Sequence, residues 1–157
     1  GGAIALHLAP RFEAVSALEV DRSAVDRGRR DAERLGISNV GFTRADARDV
    51  TVPADADLIV VDPPRAGLAA PLRDELATAL LTPRQAGSPE KRLIYVSCDV
   101  ATWARDVADF EARGLDLVRF EPFDFYPHTH HIEVLSLLVP RREATATSAV
   151  GSGRTGS

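Results

Sequence analysis

Apolar positions along this chain follow two rhythms. Ala14–Val20 (AVSALEV), Asn39–Thr43, Asp57–Val61 (DLIVV) and Arg92–Ser97 are apolar runs of strand length. Between them lie segments whose apolar residues recur at helical spacing. Arg22–Leu35 is an Arg-rich helix ending at Gly36, a suitable C-cap; Pro71–Leu81 is a helix with proline in its first turn; Ala101–Arg113 is a helix closed by Gly114. Thr82–Lys91 (TPRQAGSPEK) reads as a loop from its Pro, Gly and Ser content. This alternation predicts an α/β fold, a parallel sheet covered by helices. Leu115–Glu121 and His131–Val139 are the last strands, joined only by a loop holding Pro122 and Pro127. So short a connection makes them antiparallel, because parallel neighbours need a longer crossover.

The pattern also places chemistry. In open α/β sheets, ligands bind at the carboxyl edge of the parallel strands. Glu19, Asp46, Asp62 and Cys98 follow or end predicted strands, and Glu133 opens an antiparallel one, so all five map to that edge. Gly1-Gly2 is the remnant of a glycine turn, and Glu19, about 17 residues on, is spaced to accept hydrogen bonds from ribose hydroxyls. Asp62-Pro63-Pro64-Arg65 leaves its strand stiffly, since two prolines fix the backbone; the same pair would serve a mere strand terminator. Asp46 has the look of a turn-forming residue as much as of a ligand. Cys98 stands between a strand and a helix start, with Asp99 as its N-cap. Amides at a helix start favour a thiolate, the competent nucleophile, although most free cysteines are buried hydrophobes.

Composition narrows the picture. A length of 157 residues with 45% hydrophobic content suits one domain. Residues 1–141 are expected to form it, and 142–157, small and polar, to be a disordered tail. The chain has no methionine and opens on Gly1-Gly2-Ala3, as expected of an internal fragment. A single cysteine excludes an intrachain disulfide and fits a reducing, cytoplasmic setting. No apolar run reaches the roughly 18 residues of a membrane span, so no membrane role is expected. A net charge of -4 requires any nucleic-acid role to rest on a local Arg patch or a separate domain. His128, His130 and His131 precede Glu133 and suggest a metal site, but no spaced ligand pair elsewhere supports one, and no metal is expected. The Arg cluster Arg27, Arg29, Arg30 and Arg34 reads as a solvated helix face.

DPPRAG, YVSCDVATWARDV and FYPHTHHIEVLSLLV, in that order and spacing, resemble the catalytic domain of the RNA 5-methyluridine methyltransferases, from Gly1 to about Pro140. The resemblance implies a Rossmann-like class I methyltransferase fold whose last strand is antiparallel and whose first strand is missing here. It implies S-adenosylmethionine as cofactor and a tRNA or rRNA uridine as substrate, with no DNA partner. Gly2 then matches the last glycine of the cofactor loop, Glu19 binds the ribose, Asp46 and Asp62 line the pocket, Cys98 is the nucleophile and Glu133 the base.

That chemistry calls for such a pair. Uracil C5 is a poor nucleophile until a thiolate adds at C6, and a base must later remove the C5 proton so that the thiol can leave. The target base must also leave its stack. One departure is notable: the family usually has Asn-Pro where this chain has Asp99-Val100, which keeps a cap, loses a stiffening proline and adds a negative charge beside the thiol. Two rivals remain at this level, an RNA cytosine-C5 methyltransferase and a non-catalytic module of the same fold that binds RNA or a partner.

Overall fold

The computed structural model describes residues 2–125 and 132–142, Arg48 by its backbone alone. The predicted metal candidates His128, His130 and His131, and residues 143–157 of the predicted tail, lie outside the described residues. Arg142, the first residue of that tail, pairs with Glu90.

In chain order the elements are α1 (Ala3–Leu8), β1 (Val15–Glu19), α2 (Arg22–Leu35), β2 (Val40–Arg44), β3 (Leu58–Val61), α3 (Ala70–Leu81), β4 (Arg92–Ser97), α4 (Val100–Arg113), β5 (Leu115–Phe123) and β6 (Glu133–Pro140), with single 3-10 turns at Ala9–Arg11 and Ala47–Asp49. The helix ends follow from local chemistry. Asp21 caps α2 by accepting the Ser23 amide, and Gly36 closes it in the left-handed conformation at φ 67°. Asp99 caps α4 through the Thr102 amide, and Gly114 closes it at φ 107°.

The strands form two sheets, β1-β2 and β3-β4-β6-β5. β1 with β2, and β3 with β4, are parallel; β6 runs antiparallel to both β4 and β5. The predicted single parallel sheet is thus divided: among the described residues β1 pairs only with β2, and β3 only with β4. Strand β5 continues two residues beyond its predicted end, through Pro122. A proline is tolerated there because β5 lies at the sheet edge, where a missing N–H costs no ladder bond. Helix α1 was not predicted; its six residues, AIALHL, carry almost no polar face from which to read a helical period.

Each sheet has its own core. Alternate residues of the larger sheet, Leu93, Tyr95 and Leu138, are buried with Leu76 and Leu80 of α3 and Val107 and Phe110 of α4. The smaller unit packs Phe42 of β2 against Ala5, Val25 and Ala32. That ring requires glycine in the middle of α2, since a Cβ on Gly28 would lie 2.5 Å from its Cε1.

Candidate active site

Strand register fixes where the candidate residues stand. Val61 pairs with Tyr95, Ser97 with Val134, and Glu133 with Phe123. Asp62 and Cys98 are therefore the first residues beyond β3 and β4, and Glu133 is the first of β6. One further step of the β4–β6 ladder sets Cys98 beside Glu133. Their faces agree as well. Side chains alternate along a strand, and the face covered by α3 and α4 holds Leu93, Tyr95, Ser97, Val134, Ser136 and Leu138, all buried. Ile94, Val96, Glu133, Leu135 and Leu137 belong to the opposite face, and Cys98 and Asp62 follow directly on the ends of their strands. A thiol and two carboxylates thus stand at one edge of the sheet.

These groups are uncommitted, whereas the acids around them are not. Cys98 and Glu133 are half-buried and Asp62 is exposed, and among the described residues none of the three side chains has a hydrogen bond or ion pair. Asp99, one of the two residues that depart from the family pattern, is engaged through Oδ1, which accepts the Thr102 amide at 2.9 Å and, at 3.1 Å, shares the Thr102 hydroxyl with the Arg65 carbonyl. The amide bond, then the hydroxyl bond, hold its carboxyl below the usual carboxylate range. The negative charge next to Cys98 is consequently permanent at neutral pH and directed at the helix start.

Helix α4 also grips the loop that follows Asp62. Thr102 Oγ1 donates to the Arg65 carbonyl at 2.9 Å, Arg105 Nη2 donates to the Ala66 carbonyl at 3.0 Å, and the Leu68 amide donates to Asp106 Oδ2 at 2.7 Å. Asp106 is fully buried and is the hub of this clamp. It accepts the Tyr95 hydroxyl at 2.7 Å, Arg105 Nε at 2.9 Å and Arg73 Nη1 at 3.1 Å. Burial first, then the bond to Asp106, push the Tyr95 hydroxyl well above its ordinary pKa, so it remains a donor. The loop approaches so closely that a Cβ on Gly67, whose φ is +74°, would lie 2.6 Å from Asp106 Oδ2. Cys98 and the loop after Asp62 are thereby tied to one helix, Cys98 through its chain and residues 65–68 through side chains.

The sequence reading missed Thr102, Arg105 and Asp106. A signal existed: Asp106 falls on the stripe Trp103, Val107, Phe110 that faces the core, where an acid must find partners.

Gly2, Glu19 and Asp46 belong to the smaller unit. Gly2 is left-handed, at φ 87°, and starts α1. Glu19 ends β1, half-buried, and its Oε1 accepts the Asp21 amide at 3.1 Å. Asp46 follows β2, and its carbonyl accepts the Asp49 amide. Strand pairing brings Asp62, Cys98 and Glu133 together, but no strand ladder ties the other three to them. The strands β1, β3 and β4 begin around a common cavity of about 310 Å³ that Phe12, Asp57 and Arg92 line, at the opposite end of each strand from Glu19, Asp62 and Cys98. Among the described residues no group of His, Cys, Asp and Glu is placed to hold a metal ion, and no helix is long and apolar enough to cross a membrane.

Comparison with known proteins bears on this edge. The chain is 37% identical over 140 residues to the 23S rRNA (uracil(747)-C(5))-methyltransferase of Vibrio vulnificus, covering 88% of this chain and 34% of the relative. It is 36% identical over 157 residues to the 23S rRNA (uracil(1939)-C(5))-methyltransferase of Chromohalobacter salexigens, covering 98% and 31%. The chain therefore spans about a third of the length of these curated relatives. Its fold superimposes on the tRNA (uracil-54, C5)-methyltransferase of Pyrococcus abyssi, solved with S-adenosyl-L-homocysteine, with a TM-score of 0.72 at 30% identity, covering 85% of this chain and 30% of that one. The N-methyltransferase NodS of Bradyrhizobium japonicum shares the fold at a TM-score of 0.68 and 19% identity. The family model for tRNA (Uracil-5-)-methyltransferase matches residues 1–141, the span that carries every element described above, and the chain belongs to that family.

Proposed function

We propose that this domain transfers a methyl group from S-adenosylmethionine to C5 of a uridine in tRNA or rRNA, with Cys98 as nucleophile and Glu133 as base. The observation that carries the reading is the place of Cys98 and Glu133 at the β4–β6 edge, one step beyond the Ser97–Val134 pair, with neither side chain in a hydrogen bond or ion pair among the described residues. Family membership and the uracil-C5 specificity of its named relatives support the substrate class.

The donor set suits the cofactor: Glu19, with one carboxylate oxygen on the Asp21 amide, offers the other to ribose hydroxyls, and Asp46 and Asp62 offer acceptors to its amino groups. When bound, S-adenosylmethionine supplies an electrophilic methyl on a sulfonium. The chain's residues do the rest. The Cys98 thiolate adds to C6, and the electron pair released toward C5 makes that carbon the nucleophile for the methyl. Glu133 then accepts the C5 proton, the C5–C6 double bond re-forms, and the Cys98 thiolate departs. The α4 clamp holds Cys98 and the Asp62 loop at fixed separation, so methyl donor and activated carbon meet without search.

The two residues act at different steps, and substitution separates them. In the intact protein, Cys98→Ala is expected to abolish turnover with no covalent species. Glu133→Gln is expected to permit addition and methyl transfer and then stall. Labelled methyl groups should migrate with protein in denaturing electrophoresis for the Glu133 variant and not for the Cys98 variant. Normal turnover by Cys98→Ala would end this reading.

A further inference from the structure

Beyond Glu133, the same edge continues onto an aromatic pair. Phe123 pairs with Glu133 across the β5–β6 ladder, so their side chains stand next to each other on one face. Phe125 stacks on Phe123 with ring centroids 5.5 Å apart and planes 3° from parallel. Phe123 is 36% exposed and Phe125 64%. Across the sheet, the carboxyl edge therefore reads thiol, carboxylate, ring, and then a second ring with its outer face open. Adjacent strands lie about 4.8 Å apart, which sets Phe123 roughly 10 Å from Cys98, two strands away.

Polar residues flank the ring pair. Asp124 separates the two phenylalanines in the chain, and the Arg119–Glu121 ion pair occupies the preceding positions of the same strand face. A protein partner docking by apolar contact would need a patch of a few hundred Å². The Phe125 ring, the most exposed of the phenylalanines on β5 and after it and backed by a parallel ring, fits a single flat heteroaromatic instead.

We propose that Phe125, backed by Phe123, is a stacking platform for the nucleobase next to the target uridine in unpaired RNA. The inference rests on the RNA-methylating reading above and adds to it how the substrate strand is held. A uridine taken out of its stack loses its neighbours' support, and its neighbour loses a stacking face as well. Phe125 supplies a replacement face at the place where the strand leaves the thiol and carboxylate. Such stacking tolerates any base, because every base has a π-face.

The test uses the intact protein and two short single-stranded RNAs, each with one uridine and a 2-aminopurine on its 5′ or its 3′ side. Binding should quench the fluorescence of one of the two. Phe125→Ala should abolish that quench and raise KM for RNA about tenfold or more, leaving kcat at saturating RNA and the calorimetric affinity for S-adenosylhomocysteine unchanged. Phe125→Trp should retain the quench and KM, and Phe125→Leu should behave as Phe125→Ala. An unaltered quench and KM in Phe125→Ala, full rescue by leucine, or a loss of cofactor affinity would each overturn the platform. If the unsubstituted protein transfers no methyl group to uridine, the functional reading itself falls and the platform with it. If it methylates uridine while Phe125→Ala is indistinguishable from it, only the platform falls.

Discussion

Glu19 shows how one side chain carries both structure and binding. Its Oε1 holds the Asp21 amide at the start of α2, a local bond that water replaces readily because the site is exposed. Its proposed bond to ribose hydroxyls has no such substitute once a cofactor excludes water. Glu19→Ala is accordingly expected to cost about 1.5–3 kcal/mol of cofactor affinity, the worth of a hydrogen bond to a charged acceptor, with little change in Tm. Glu19→Gln, which keeps an acceptor oxygen, should lose less. Calorimetry with S-adenosylhomocysteine decides, and equal affinities for all three proteins would remove Glu19 from the site. Residues of this kind were legible in the sequence because they sit where an apolar run stops. Cys98 and Asp62 mark the ends of strands, and Glu133 marks a beginning. Asp106 was not legible in that way. Its partners, the Leu68 amide and the Tyr95 hydroxyl, are 38 and 11 residues away, and only folding brings them to it.

At the scale of elements, α4 does more than cover the sheet. Its first turn is capped by Asp99, directly after Cys98, and its next turn clamps residues 65–68. Replacing Asp106 with asparagine keeps the volume but removes the acceptor for two buried donors and unbalances Arg73, which is itself largely buried. Breaking one side of a buried ion pair costs about 3–5 kcal/mol; since Arg105 is half exposed and its share is screened, the lower end is expected, about 3 kcal/mol. Urea unfolding measures it, and a loss below about 1 kcal/mol, the worth of one ordinary hydrogen bond, would show that the clamp is not a hub. Element boundaries were read from sequence within a residue or two wherever a cap was present, as at Gly36 and Gly114. They failed where tertiary position overrides propensity: β5 runs on through Pro122 because it is an edge, and α1 forms from AIALHL because it packs on α2 and β1.

At the scale of the chain, the described residues form two cores of unequal size. The larger sheet buries Tyr95, Phe110, Leu76, Leu80, Leu93, Leu115 and Leu138 between strands and two helices, whereas the core of the β1–β2 unit has Phe42 as its one large buried side chain among the described residues, with Ala5, Val25 and Ala32. Less apolar area removed from water means a smaller free energy of local opening, and among the described residues no strand ladder transmits stability from one unit to the other. Amides of β1 and β2 should therefore exchange with deuterium faster than those of β4 and β6, by at least about tenfold under conditions where exchange follows opening equilibria. The proposed cofactor site draws Glu19 and Asp46 from the weaker unit and Asp62 from the stronger. A ligand that binds only when both are folded and adjacent stabilises the weaker one by mass action. Adding S-adenosylhomocysteine at a large excess over its Kd should slow exchange in Val15–Glu19 and Val40–Arg44 far more than in Arg92–Ser97. Equal protection of both units without ligand would show a single cooperative molecule. Slowing confined to β4 and β6 would place the ligand elsewhere than between Glu19 and Asp62.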